Sequence, residues 1–397
     1  MPSNATALLH QGDDRQRHHG AISTPVYRAS LFGFESYADF EVATANEIAA
    51  KTPVYTRVCN PTRQALEEKI ALLEKTDRAI AFSSGMGAIS AALLAFLQQG
   101  DHALFVSGCY GPTRQFADTL LSALGVEVEY YRAAESPALE KRLKPNTRLI
   151  YLESPGSLTF QIQDIRAVTQ LAQTRNIITV IDNSWATSLY QQPITMGVDV
   201  VVHSATKYIA GHSDVVVGLL ACNEDLYQRI KPIAALLGAN LSPDDAWLVT
   251  RGLRTLPLRL AAQEAAALKI ARWLQNRPEV RQALYPGLPD FPGYALAQKQ
   301  MSGSSSLFAF KLAPSTPKAR AAFVDSLRYF TIAVSWGGFE SLILPIGNAF
   351  KDLPDTRAAL GIDDDTFRIC IGLEDVDDLI ADLSQGLEKF QMENKSP

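Results

Sequence analysis

The sequence predicts an α/β protein built on a mostly parallel sheet, with an N-terminal arm and a smaller C-terminal α+β domain. From about residue 61 to residue 253, short apolar segments alternate with amphipathic ones, which is the pattern of strands joined by crossover helices. After Arg254 the pattern changes to a long alanine-rich segment, a Pro- and Gly-rich loop and a few mixed elements. We therefore predict an arm (residues 1–60), a first domain (61–255) and a C-terminal domain (256–397).

The elements follow from local periodicity. Residues 1–60 show no long periodicity and predict an extended arm. Residues 63–73 predict a helix because Leu66, Ile70 and Leu73 recur at helical spacing. Short apolar runs predict strands at residues 79–82, 103–106, 149–152, 177–181, 198–202 and 215–220, with helices between most of them, as at 86–97 and 114–124.

The C-terminal domain is predicted from fewer signals. We expect helices at residues 258–274 and 319–327, a loop at 285–292 and strands at 307–312 and 367–372. The last helix, residues 376–390, has one apolar face that comprises Leu379, Ile380, Leu383 and Leu387. Its acidic residues Asp377, Asp378 and Asp382 are interpreted as a solvated face.

The composition argues against several classes of protein. The chain has 397 residues, 47% of them hydrophobic, as expected of a globular enzyme with sizeable cores. A net charge of -5 gives no basic surface for nucleic acid. We expect neither a signal peptide nor a membrane span, because no apolar run is suited to either. The four cysteines are scattered and include no C-x-x-C pair, which favours a reducing cytoplasm and argues against a metal site. We interpret Cys59 and Cys109 as packed thiols, with a functional role as the alternative.

Lys207 is the most informative candidate residue. It follows the apolar segment at 198–202, with the hydroxyl residues Ser204 and Thr206 in between. Ligands of open α/β sheets bind at the carboxyl ends of strands. Away from bulk water, a lysine ammonium shifts toward the neutral amine that Schiff-base chemistry needs. A single lysine after a strand is most often solvent-exposed, so the other motifs decide its role.

Two further strand ends carry ligand-binding patterns. Residues 82–89 contain Ser84, Gly85 and Met86 at a strand-to-helix turn, where backbone N–H groups bind phosphate. An ordinary serine cap explains this motif equally well. Asp182 ends a β-branched segment, and its carboxylate is suited to keep a pyridine nitrogen protonated. A helix cap or a metal ligand is the alternative for Asp182.

Three motifs bear aromatic or guanidinium groups. Tyr110 follows a strand and is placed to stack on a planar ring, or else to pack in the core. On the arm, Arg57 is suited to grip a phosphate with Tyr55 donating a hydrogen bond, or else to be a surface arginine. Arg368 lies in an apolar segment, and a buried arginine needs a partner. That partner is either a substrate carboxylate or an internal ion pair.

Together these motifs describe the binding of pyridoxal 5′-phosphate, and the chain resembles the cysteine/methionine-metabolism family of fold-type I (aspartate aminotransferase-like) pyridoxal-phosphate enzymes. The resemblance covers nearly the whole chain and is most specific at residues 152–157, 204–218 and 371–379. Within the family, residues 153–157, 251–256 and 335–342 look most like the cystathionine β-lyase branch.

The resemblance implies a role for each candidate residue. Lys207 would carry the cofactor and move the substrate α-proton, Asp182 would pair with the ring nitrogen, and Tyr110 would stack on the ring and contribute to catalysis and substrate binding. The remaining implied contacts are as follows: Gly85, Met86, Ser204 and Thr206 to the phosphate; Tyr55 and Arg57 to the phosphate of a neighbouring subunit; Ser335, Trp336 and Arg368 to the substrate, whose α-carboxylate Arg368 would hold. The implied assembly is a dimer of dimers with shared active sites.

The implied activity is a carbon–sulfur β-lyase that cleaves L-cystathionine to homocysteine, pyruvate and ammonia, a step of methionine biosynthesis and transsulfuration. Val58 and Val334 depart from the enterobacterial β-lyase pattern, and Asn60-Pro61-Thr62 is more typical of γ-lyases and γ-synthases. The alternatives are a broader cysteine-S-conjugate or cysteine β-lyase and a γ-lyase acting on cystathionine or methionine. A non-catalytic pyridoxal-phosphate-binding protein is the alternative from another class, and a nicotinamide enzyme is disfavoured because no G-x-G-x-x-G follows the first strand.

Overall fold

The computed structural model describes residues 4–45 and 52–395, arranged around two sheets. The helices are α1 (Asn4–His10), α2 (Tyr37–Ala45), α3 (Pro61–Glu74), α4 (Gly85–Leu94), α5 (Gly111–Phe116), α6 (Ile165–Thr174), α7 (Thr187–Tyr190), α8 (Glu224–Leu237), α9 (Pro243–Gln275), α10 (Tyr294–Gln300), α11 (Pro317–Asp325), α12 (Pro354–Leu360) and α13 (Val376–Asn394). Short 3-10 helices span Gln16–His18, Ala133–Arg142 and Pro193–Met196, and a π-helical turn, Ala117–Leu121, continues α5. The strands are β1 (Arg78–Phe82), β2 (His102–Val106), β3 (Glu127–Tyr131), β4 (Thr147–Glu153), β5 (Ile178–Asp182), β6 (Val200–Ser204), β7 (Gly218–Cys222), β8 (Val280–Leu284), β9 (Leu307–Leu312), β10 (Thr331–Ile332), β11 (Leu342–Pro345) and β12 (Thr366–Cys370).

The larger sheet has seven strands in the order β1-β7-β6-β5-β4-β2-β3. All of its strands are parallel except β7, which pairs antiparallel with β1 and with β6. The expected mostly parallel sheet is therefore confirmed. β3 was missed because Glu127 and Glu129 interrupt its apolar pattern. β7 begins later than predicted because Val217 is bonded to the Thr206 hydroxyl in a loop before the strand.

Side-chain caps fix the first turns of α3 and α9. The Asn60 side chain accepts a hydrogen bond from the Thr62 N–H at 3.0 Å and caps α3, with Pro61 in the first turn. Ser242 caps α9 in the same way.

The start predicted for helix α9 was wrong, since α9 begins well before residue 258 and contains Pro257. The helix also runs through the boundary predicted at residues 255 and 256, so the three-part division stays a proposal.

The smaller sheet forms the C-terminal part, with strand order β10-β11-β12-β9-β8. The predicted strands correspond to β9 and β12, whereas β8, β10 and β11 were missed. The solvated role predicted for Asp382 is wrong. Its carboxylate is 3% exposed and accepts hydrogen bonds from the backbone N–H groups of Arg328 and Tyr329, at 2.9 and 2.8 Å. An acid on a helix face is buried where it satisfies backbone donors of a neighbouring loop.

The arm is only partly extended, contrary to the prediction. Helix α1 packs on the first domain through the buried Leu8, and the Lys69 ammonium bonds to Asp13 at 2.8 Å. Leu31 and Tyr55 form an isolated antiparallel bridge later in the arm. Within residues 4–45 and 52–395, no helix is long and apolar enough to cross a membrane. The arm therefore contacts the first domain through Leu8 and through the ion pair of Asp13 with Lys69.

Candidate active site

The carboxyl ends of β4, β5 and β6 and the first turn of α4 surround a cleft of about 510 Å³ between the two sheets. This is the edge of the sheet at which α/β proteins bind ligands. The cleft brings together ten of the twelve predicted site residues, namely Gly85, Met86, Tyr110, Asp182, Ser204, Thr206, Lys207, Ser335, Trp336 and Arg368. Its volume is that of a small-molecule site.

Lys207 lies just past the end of β6 and points toward the second sheet. Its ammonium donates a hydrogen bond to the Ser335 hydroxyl at 2.5 Å and lies 5.4 Å from the centre of the Trp336 ring. Burial, reinforced by the nearby Arg368 guanidinium, lowers the pKa of Lys207 from 10.5 to about 8. A lysine tuned in this way carries a useful fraction of neutral amine near neutral pH, which is what a nucleophilic lysine requires.

The start of α4 and the end of β6 form a cradle of small residues. Ser84 caps α4 by accepting a hydrogen bond from the Gly87 N–H at 3.0 Å, which leaves the preceding N–H groups at the cleft end of the helix. A Cβ atom on Gly218 would lie 2.0 Å from the Ser84 carbonyl oxygen, so only glycine permits this approach of β7. The Thr206 hydroxyl is held by the Val217 N–H at 2.9 Å.

Asp182 lies on the floor of the cleft at the end of β5. Its carboxylate accepts a hydrogen bond from the Ser184 N–H at 2.9 Å. Burial raises its pKa, while the Ser184 hydrogen bonds and the positive charges of His203 and Lys207 oppose the rise. An acid that is buried but supported in this way is suited to face a positively charged ring nitrogen.

Glu153, at the end of β4, is a cleft residue to which the sequence analysis gave no role. It lies beside Asp182 in the parallel register and accepts a hydrogen bond from the Tyr110 N–H at 2.7 Å. Burial, and secondarily Asp182, raise the pKa of Glu153 well above its ordinary value. Its position after a strand was the available signal, the same one that identified Asp182. Glu153 fixes the backbone of Tyr110 at the mouth of the cleft.

Tyr110 stands at the start of α5 with its side chain half exposed to the cleft. Burial is the main cause that raises the pKa of its phenol, and the charge of Asp182 adds to it. The phenol is therefore protonated at neutral pH and is able to donate a hydrogen bond. The alternative interpretation of Tyr110 as a core residue is not supported by this exposure.

Arg368 enters the cleft from β12. It is 8% exposed and donates a hydrogen bond to the Ser335 carbonyl oxygen at 3.2 Å. Among residues 4–45 and 52–395, no carboxylate forms an ion pair with it. Burial lowers its pKa. A buried guanidinium without a protein carboxylate is suited to an anionic ligand, which favours the substrate-carboxylate interpretation over the internal ion pair.

The structure does not bring Tyr55 and Arg57 to the cleft of their own chain. Tyr55 is exposed, and the Arg57 guanidinium bonds to the Ala235 carbonyl oxygen of α8 at 2.7 Å. Val58, next to them, is buried, and the Lys231 ammonium donates to its carbonyl oxygen at 3.0 Å. The two side chains are thus anchored on the outer surface of the first domain, away from Lys207.

The cysteines and possible metal ligands add no second centre. Cys59 and Cys109 are buried, and burial raises the pKa of the Cys59 thiol to about 11. This agrees with their interpretation as packed thiols rather than reactive ones. No group of three or more His, Cys, Asp or Glu side chains in the described part of the chain is arranged to hold a metal ion.

The residues present fit pyridoxal 5′-phosphate. The turn at Gly85 admits a phosphate close to the backbone N–H groups of α4, because a Cβ atom at Gly85 would lie 3.1 Å from the Ser204 side chain across this part of the cleft. Lys207 supplies an amine of lowered pKa, and Asp182 a buried carboxylate. Arg368 supplies a cation without a carboxylate partner in the described residues, for the substrate.

Comparison with known proteins agrees with this fit. The family described as "Cys/Met metabolism PLP-dependent enzyme" matches residues 5–388. A putative cystathionine beta-lyase of Rhizobium johnstonii is 42% identical over 385 residues, which cover 96% of this chain and 95% of that protein. An L-methionine gamma-lyase of Pseudomonas putida is 38% identical and covers 98% of both chains. The crystal structure of cystathionine gamma synthase from Xanthomonas oryzae pv. oryzae, in complex with aminoacrylate and cysteine, is similar with a TM-score of 0.92, 36% identity and 99% coverage of both chains.

Proposed function

The chain belongs to the Cys/Met metabolism PLP-dependent enzyme family, has its fold-type I architecture and uses its cofactor, pyridoxal 5′-phosphate, and from this premise we propose that it is a carbon–sulfur β-lyase that cleaves L-cystathionine to homocysteine, pyruvate and ammonia. The observation that carries the proposal is the meeting of Lys207, Asp182 and Arg368 in one cleft. The resemblance of residues 153–157, 251–256 and 335–342 to the β-lyase branch supports β- rather than γ-elimination.

Each cofactor contact is assigned to a group in the cleft. Lys207 would bind the cofactor covalently and Asp182 would pair with its ring nitrogen. The start of α4 and the end of β6 would hold the phosphate, with contacts from Gly85, Met86, Ser204 and Thr206. Tyr110 would stack on the ring. When bound, pyridoxal 5′-phosphate supplies an electron sink for the charge that develops at the substrate α-carbon.

The substrate is oriented by its α-carboxylate. The Arg368 guanidinium would donate two hydrogen bonds to that carboxylate, and it is held in place by its hydrogen bond to the Ser335 carbonyl oxygen. Ser335 has a left-handed backbone conformation, with φ 78°, which is uncommon for a residue other than glycine. Its hydroxyl also touches the Lys207 ammonium, so Ser335 links the substrate-binding and proton-transferring groups. Trp336 covers this side of the cleft.

Proton transfer is the task of Lys207 and Tyr110. As a neutral amine, Lys207 removes the α-proton of the bound substrate; its lowered pKa of about 8 suits that task near neutral pH. The carbon–sulfur bond at the β-carbon then breaks, and the protonated Tyr110 phenol, which lines the cleft, would donate a proton to the leaving thiolate. Hydrolysis of the three-carbon fragment gives pyruvate and ammonia.

We propose a dimer of dimers in which Tyr55 and Arg57 reach the phosphate site of a neighbouring subunit. The support is their location on an outer surface, fixed by α8 and outside their own cleft. The Arg57 guanidinium carbon also lies 5.9 Å from the centre of the Tyr55 ring, and both side chains are exposed. A role in methionine biosynthesis and transsulfuration and a cytoplasmic location complete the proposal.

Identification of the products formed from L-cystathionine tests this function. Purified protein with pyridoxal 5′-phosphate should give equal amounts of pyruvate and homocysteine. Mass spectrometry of the thiol and of the 2-oxo acid measures the two products. Formation of 2-oxobutyrate and cysteine would instead establish γ-elimination. In that case Asn60-Pro61-Thr62 of the arm would have been the better guide to the reaction.

The mouth of the cleft favours a second candidate, a β-lyase for cysteine conjugates with uncharged S-substituents. Val216 and Val334 line the mouth and are 61% and 75% exposed. Lys207 and Arg368, both already assigned, are the cations among the described lining residues. A distal carboxylate, as in cystathionine, therefore meets apolar surface within this chain.

We expect S-butyl-L-cysteine to be cleaved with a kcat/KM within about tenfold of that for L-cystathionine, because burial of apolar surface replaces the missing charge contacts. Val334→Lys should shift the ratio of the two kcat/KM values toward cystathionine, whereas Val334→Leu should not. Strong preference of the unchanged enzyme for cystathionine would assign the distal-group contacts to a neighbouring subunit.

A further inference from the structure

A buried histidine–carboxylate pair lies beneath the strand that carries the cofactor-binding residues. His203 is in β6, directly before Ser204, and its Nε2 atom is 2.6 Å from Oε1 of Glu74, the last residue of α3. Both side chains are 1% exposed. None of the steps proposed above uses this pair.

The pair is short and buried, so its net charge matters to the neighbouring sheet. The separation requires a proton between the two atoms and is typical of a charge-assisted hydrogen bond. With a neutral imidazole, a Glu74 carboxylate would be an uncompensated buried charge next to a sheet that already holds the acids Asp182 and Glu153. An imidazolium would balance that charge.

His203 is a near neighbour of Asp182 in the sheet. In the parallel register of β5 and β6, Asp182 lies opposite Val202, the neighbour of His203. Burial raises the pKa of Asp182, and the Ser184 hydrogen bonds, then His203 and Lys207, oppose that rise. Glu153, Tyr110 and Tyr151 are the other titratable groups coupled to Asp182. Lys207 alternates between its bond to the cofactor and its role as a neutral amine base, so His203 is the other group of this kind whose place beside Asp182 does not change during the reaction.

We propose that Glu74 and His203 form a positioning pair that keeps Asp182 ionised opposite the cofactor ring nitrogen. Glu74 holds the imidazolium in place, and the imidazolium stabilises the Asp182 carboxylate across the sheet. The inference rests on the proposed contact between Asp182 and the cofactor. It also connects α3, which begins directly after the arm, to the strand that leads to Lys207.

Three variants remove the imidazolium by different routes: Glu74→Gln, His203→Gln and the double variant. A glutamine at either position can still hydrogen-bond to the remaining partner, so each single change removes the charge balance of the pair rather than its contact. Glu74 Oε2 and His203 Nδ1 have no hydrogen-bond partner in the described residues. The double variant has two amides that can bond to each other and carries no charge. It therefore separates the loss of charge from the loss of packing.

In holoenzyme saturated with cofactor, we expect kcat to fall about tenfold in all three variants, because a less stabilised Asp182 carboxylate supports the protonated ring nitrogen less well, with KM changed less than twofold. The cofactor dissociation constant, measured by quenching of tryptophan fluorescence, should rise in all three, and the pH dependence of the visible absorption band should shift. Recovery of kcat and of cofactor affinity in the double variant would show that the pair serves packing alone, and would overturn the inference.

Two reference variants complete the test. His102→Gln alters another buried histidine, at the amino end of β2, where its ring bonds to the Thr147 hydroxyl at 2.8 Å, and should leave kcat and the absorption band unchanged. Asp182→Asn should lower both kcat and cofactor affinity by more than any of the three variants. If Asp182→Asn has no effect, the proposed function fails; if it has its effect and the three variants match the unchanged enzyme, the inference alone fails.

Discussion

Replacing Lys207 by alanine will abolish turnover and remove the visible absorption band of the cofactor-loaded protein. Lys207 is the single lysine among the described residues that line the cleft, and burial lowers its pKa to about 8. The variant loses both the amine that holds the cofactor and the base that moves the α-proton, so kcat should fall by at least about 10³-fold. Absorption spectra and pyruvate release measure the two effects.

Lys231→Met is the matched control. Lys231 is also a buried lysine whose pKa is lowered by burial, but its ammonium bonds to the Val58 carbonyl oxygen outside the cleft. This variant should keep the absorption band, even if its melting temperature falls. A Lys207→Ala protein that keeps the band would refute the assignment of Lys207.

Replacing Arg368 by alanine will weaken substrate capture while the cofactor stays bound. A charge-assisted pair with a buried guanidinium contributes about 3 kcal/mol, so KM should rise roughly 100-fold. Arg368 donates to the Ser335 carbonyl oxygen and lies apart from the phosphate cradle at Gly85, so the absorption band should persist. Steady-state kinetics and cofactor titration measure the two quantities.

Arg368→Lys is informative beside it, because lysine keeps the charge but loses the planar fork. We expect an intermediate KM for this variant. Release of the cofactor from Arg368→Ala, with KM little changed, would show that Arg368 belongs to the cofactor site instead.

The strand ends of the first domain were predictable because buried parallel strands are continuous apolar runs, and a polar residue after such a run is conspicuous. Asp182, Ser204 and Lys207 were all found by this rule, and the structure gathers them at one edge of the sheet. Glu153 obeys the same rule, but the sequence analysis used it only within residues 153–157, a segment that carries the family resemblance.

The C-terminal sheet and the arm were less predictable for physical reasons. β10 has two residues, both exposed, and β11 ends in a proline, so neither has a periodic pattern long enough to recognise. Asp382 was misplaced because its buried role depends on backbone donors at Arg328 and Tyr329, which are distant in sequence. Tyr55 and Arg57 are proposed to act in another subunit, which periodicity within one chain does not reveal.

The pair of Glu74 and His203 illustrates the same limit. His203 directly follows the predicted strand 198–202, Glu74 directly follows the predicted helix 63–73, and the two residues are 129 positions apart. Only the packing of α3 against the sheet brings the two together. A charge pair formed in this way has no local signature, whereas a lysine after a strand does.

Mapping the cofactor attachment site tests the central claim most directly. Holoenzyme is reduced with borohydride, which makes the link between cofactor and protein permanent, and is then digested and analysed by mass spectrometry. We expect the cofactor mass on the peptide that contains Lys207, at one cofactor per chain. Attachment at another lysine such as Lys231, or a colourless protein that carries no cofactor at all, would contradict the account.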